Sequence, residues 1–133
     1  MNKFIKVYDD IISPELANFI EELIFGKEIC WNYLQNITWE HSNEYSPGFV
    51  NYFTWREMNI YSPLCFNVSQ ILYTLSNKLN INIVDILKSR AFLLLPTSKN
   101  NAQEIHTDLD FPHWVCLYYV MIVTGKHRIC KLT

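Results

Sequence analysis

The chain has 133 residues, half of them hydrophobic and 15% aromatic, and a formal charge of −2. That is long enough to bury a core without staples and too apolar for disorder, so one domain spanning 1–133 is expected. With no basic run, no long apolar leader and no apolar stretch able to span a bilayer, nucleic acid and membrane are not indicated as partners and a cytoplasmic protein is expected.

In chain order, Phe4-Ile5-Lys6-Val7-Tyr8-Asp9 reads as a short strand. Ser13-Pro14 then supplies a helix start, with Ser at the N-cap and Pro in the first turn. Leu16, Phe19, Ile20, Leu23 and Ile24 follow at helical spacing, and Gly26 is placed to end the helix, which predicts a helix over 14–25. Cys30 to Leu34 reads as a strand, Glu40 to Phe49 as a polar stretch with a turn at Pro47-Gly48, and Phe49 to Trp55 as an aromatic-rich strand. Ser62-Pro63 repeats the helix start, and Leu64, Val68, Ile71, Leu72, Leu75 and Leu79 predict a second amphipathic helix over 63–79. Residues 81–88 fit helix and strand equally. Arg90 to Pro96 is a continuous apolar run and predicts a buried strand. A turn at 97–101 and two further strands, 103–108 and 113–120, complete an order that favours α+β.

The chemistry-bearing stretch is Glu104-Ile105-His106-Thr107-Asp108. Strand side chains alternate faces, so His106 and Asp108 would point the same way. An imidazole nitrogen and a carboxylate oxygen so placed can take adjacent positions on one metal. A His from another strand would complete a facial triad of the kind that suits non-haem Fe(II). The pair by itself is unspecific, and a hydrogen-bonded surface pair is the bland alternative.

The stretch from Arg90 to Val120, with its strand ending in Pro96, short turn, H-x-D strand and aromatic strand ending Tyr118-Tyr119-Val120, resembles the first half of the catalytic barrel of iron(II)/2-oxoglutarate-dependent dioxygenases. It is most similar to the prolyl-4-hydroxylase-like branch of phages and environmental microbes. The opening, Phe4 to Leu23, resembles that branch's first strand and buttressing helix. The resemblance, over residues 1 to about 120, implies N-terminal helices (1–89) supporting an incomplete double-stranded β-helix, or jelly roll (90–120), with an anomalous tail (121–133). It implies Fe(II) held by His106 and Asp108, 2-oxoglutarate as co-substrate with Tyr118 or Tyr119 beside it, and ascorbate as an accessory the branch can use. The implied reaction couples oxidative decarboxylation of 2-oxoglutarate to C–H hydroxylation of a protein or small-molecule substrate.

The family pattern also has a second His several strands on, and an Arg or Lys about ten residues beyond it for the 2-oxoglutarate carboxylate; neither is found before Thr133. The tail departs from the polar, Gly-containing turn expected after Val120. Met121 to His127 must be encoded ATG, ATH, GTN, ACN, GGN, AAR, CAY. Borrowing the last base of each preceding codon gives NAT, GAT, HGT, NAC, NGG, NAA, RCA, which can spell Asn-Asp-Ser-Asp-Gly-Lys-Thr. A single-nucleotide slip near Val120 that truncated a longer oxygenase is therefore the hypothesis, with metal affinity or activity reduced by at least about 10–100-fold, exposed faces at Leu93, Leu95 and 114–120, and a marginal, aggregation-prone chain as expected consequences.

Other candidates have plainer readings. His113 is expected at a strand edge, His127 in a frayed terminus, His41 in an exposed loop, and Asp110 as a solvated carboxylate. The cysteines Cys30, Cys65, Cys116 and Cys130 lack any C-x-x-C and are expected as reduced, mostly buried thiols. A zinc module from Cys116, Cys130, His106 and Asp108 matches no ligand spacing pattern. Trp31, Trp39 and Trp55 could form a recognition surface but fit core packing better. Arg90 reads as a boundary charge. The alternative from another class is a non-catalytic binding or structural remnant of the same fold.

Overall fold

A computed structural model describes residues 6–37, 46–96, 109–120 and the backbone of 129–132. It is mixed α+β, with two helices and antiparallel strands in two sheets. Strand β1 (Lys6–Asp9) turns through Asp10, which sits in the left-handed region at φ 51°. Helix α1 (Pro14–Phe25) begins and ends where its sequence predicts. The Ser13 hydroxyl accepts from the Leu16 amide at 3.2 Å, satisfying one of the donors that an α-helix leaves unpaired at its start. Ala17, Ile20 and Ile24 are its buried stripe, and burying each isoleucine stabilises by about 1.5–3 kcal/mol. Gly26 ends the helix, but in extended rather than left-handed geometry. What excludes a side chain there is proximity: a Cβ would lie 2.7 Å from the Glu22 carbonyl oxygen.

After β2 (Asn32–Leu34) come β3 (Gly48–Trp55), a 3₁₀ turn (Arg56–Met58) and β4 (Ile60–Tyr61); the last two lie in a stretch for which the sequence carried no prediction. Helix α2 (Cys65–Leu79) starts two residues later than expected. Pro63 and Leu64 form a turn on Ser62, whose carbonyl accepts from the Cys65 amide at 3.0 Å, and the first helical bond runs from the Val68 amide to the Leu64 carbonyl at 3.2 Å. The left-handed cap expected at Gly26 occurs here instead, at Asn80 with φ 53°. Residues 81–87 adopt neither helix nor strand. Arg56 holds them to the sheet through its ion pair with Asp85 and a 3.0 Å bond from its amide to the Leu87 carbonyl.

Strand β3 is the hub of the first sheet. β2 and β4 pair with one of its edges and β5 (Lys88–Leu94) with the other along its whole length. The expected strand at 113–120 contracts to β6 (Cys116–Tyr118), the edge of a second sheet ordered β1–β7–β6. Its central strand β7 (Ile129–Leu132) corrects the expectation of a frayed tail: the backbone there pairs with β1 on one side and β6 on the other, so its donors and acceptors are used within the sheet. Both sheets pack on one core. Ile20, Ile24, Ile71 and Leu75 of the helices cluster with Phe53 of β3, and Ala91 of β5, Tyr8 of β1, and Cys116 and Tyr118 of β6 lie against it.

Two expectations of burial fail. The apolar run of β5 is a strand, but Phe92 and Leu93 are each 38% exposed and Leu94 55%. It forms one edge of its sheet, and among the described residues only β3 pairs with it. The thiols are also less buried than expected: Cys30 is exposed, and Cys65 and Cys116 are half-buried.

Candidate functional site

Between Leu94 and Cys116 the chain passes from the edge of one sheet to the edge of the other. His106 and Asp108, the predicted metal ligands, lie outside the described residues, as do His41, Trp39, the turn at 97–101, the strand predicted over 103–108 and His127. The described candidates nearest in sequence are Asp110 and His113. Asp110 is exposed, as expected of a solvated carboxylate. His113 precedes β6 rather than opening it, and its Nδ1 lies 2.7 Å from the Phe111 carbonyl oxygen. A carbonyl only accepts, so Nδ1 is the donor of this bond, which leaves Nε2 as the ring nitrogen that could meet a metal. His113 and Asp110 can therefore each offer one donor atom. Among the described residues, however, no three His, Cys, Asp or Glu side chains converge as a metal-binding group.

The two tyrosines divide as strand alternation requires. Tyr118 packs against the core and Tyr119 is exposed. Trp31 is half-buried against the core, whereas Trp114 is 74% exposed.

A second constellation, which no sequence motif marks, lies on one face of the β3–β5 pair. Arg90 is not a boundary charge: it sits mid-strand opposite Tyr52, while Lys88 sits opposite Trp55 and Phe92 opposite Val50. The Lys88 ammonium is 4.1 Å from the Trp55 ring centre and 6.0 Å from that of Tyr52; the Arg90 guanidinium carbon is 4.3 Å from the Phe92 ring centre. Tyr52 and Trp55 stack at 5.0 Å between centroids. Three residues apart, they would fall on opposite faces of a regular strand. Phe53 faces the core by ordinary alternation with Tyr52, and the register shift between Tyr52 and Thr54 makes it the extra residue of a bulge that brings both rings to the same face. The Trp55 Nε1 is buried with no hydrogen-bond partner among the described residues. The period-two spacing of Lys88, Arg90 and Phe92 was visible in the sequence; the bulge that supplies their partners was not.

The chain matches no family model, no curated protein and no solved structure. No helix among the described residues is long and apolar enough to cross a membrane.

Proposed function

We propose that the chain is a cytoplasmic Fe(II)- and 2-oxoglutarate-dependent dioxygenase-type hydroxylase module, built on part of a jelly roll, with His106 and Asp108 as iron ligands. The observation that carries this reading is a pattern of order. An apolar strand (β5) ends two residues before Pro96, the H-x-D pair follows in sequence, and β6 comes next, in a different sheet. In the proposed site the His106 imidazole and the Asp108 carboxylate orient the metal and leave its remaining positions to co-substrate and oxygen. Tyr118 or Tyr119 borders the co-substrate. Bound iron with 2-oxoglutarate would supply oxidative decarboxylation coupled to C–H hydroxylation, with a protein side chain or a small molecule as substrate and ascorbate as an accessory.

Anaerobic titration with Fe(II) and 2-oxoglutarate, followed by the visible charge-transfer band and by succinate release on admitting oxygen, tests the reading. His106→Ala and Asp108→Ala should each weaken iron binding at least as much as loss of an outer-shell partner does, about 10–100-fold. Wild-type protein that binds no iron would sink the enzyme. The exposed apolar residues of β5, with Trp114 and Tyr119, favour a non-catalytic binding module as the second reading. Stoichiometric zinc after purification, lost in Cys116→Ser, would instead revive the zinc module.

A further inference from the structure

We draw no further inference here: the strongest candidate, the exposed apolar patch that Phe92, Leu93 and Leu94 form on edge strand β5 of the first sheet, carries nothing, because nothing among the described residues shows what covers it.

Discussion

Strands β3 and β5 lie side by side, share a register over nearly their full length, and are both rich in large apolar residues. Their fates differ. In β3, Val50 is 1% exposed and Phe53 2%; in β5, Phe92, Leu93 and Leu94 all stand above a third. β3 has neighbours on both edges and sends Phe53 into the helical core, whereas among the described residues β5 is paired on one edge and only Ala91 reaches that core. Apolar character alone therefore does not bury a strand; position in the sheet and the layers stacked on each face do. An edge strand with an apolar surface is also a template for pairing with other chains.

The comparison can be broken most forcefully at its buried end. Phe53→Ala should cost about 3–5 kcal/mol, because the bulge position is fixed by its neighbours and cannot collapse around the cavity. Phe92→Ala on β5 should cost only about 1 kcal/mol, mostly its contact with Arg90. Urea denaturation of the two variants measures the ratio directly, and equal losses would show that β5 is as buried as β3. Next in size is Gly48→Ala, where β3 and β5 meet. An added Cβ would lie 2.6 Å from both the Ile37 Cδ1 and the Leu93 carbonyl oxygen. Backbone cannot yield cheaply, so a loss of about 1–3 kcal/mol is expected by the same assay. Ser13→Ala, which removes the helix cap remote from either strand, should cost about 1 kcal/mol. Leu94→Lys should leave stability within about 0.5 kcal/mol, as surface changes do, yet reduce self-association by placing a charge on the edge; sedimentation at rising concentration reads this out.

The smallest effect is electrostatic. The Glu15 carboxyl is held below its ordinary range, first by its own backbone amide and then by the Ser13 hydroxyl. A lowered folded-state value means a contribution present above the ordinary carboxylate range and lost as pH falls through the folded value. Glu15→Gln should therefore lower stability slightly at neutral pH, leave it unchanged below the folded-state value and so flatten the acid limb; a loss confined to acid pH would contradict that assignment.

Local signals were the legible part of this molecule. Ser13-Pro14 with its apolar stripe placed α1 to the residue, since a cap and a period-3.6 pattern act within one turn. The same signature at Ser62-Pro63 located α2 but missed its start, because the residues after Ser62 could bond in a tight turn before the helical ladder began. The apolar run at 90–96 identified a strand, and the expected truncation pointed to exposure at Leu93 and Leu95, but nothing local marked Phe92 and Leu94 as exposed with them. The short strand β4 and the pairing of β7 escaped because neither carries a local pattern strong enough to stand apart from its tertiary neighbours. Of the two candidate sites, the H-x-D pair is a sequence motif and was found as one. The Lys88–Arg90 face has half of its residues on another strand, 33 or more positions away (Trp55 to Lys88).

What the sequence determined alone was therefore the set of elements whose bonds close within a few residues: the two helices, the strands of β3 and β5, and the α+β class. What only the tertiary structure decided was which strand became central, which apolar surface stayed in water, and which side chains met. Those outcomes depend on pairings between distant segments and on the single extra residue at Phe53, which reverses the facing of everything beyond it along β3.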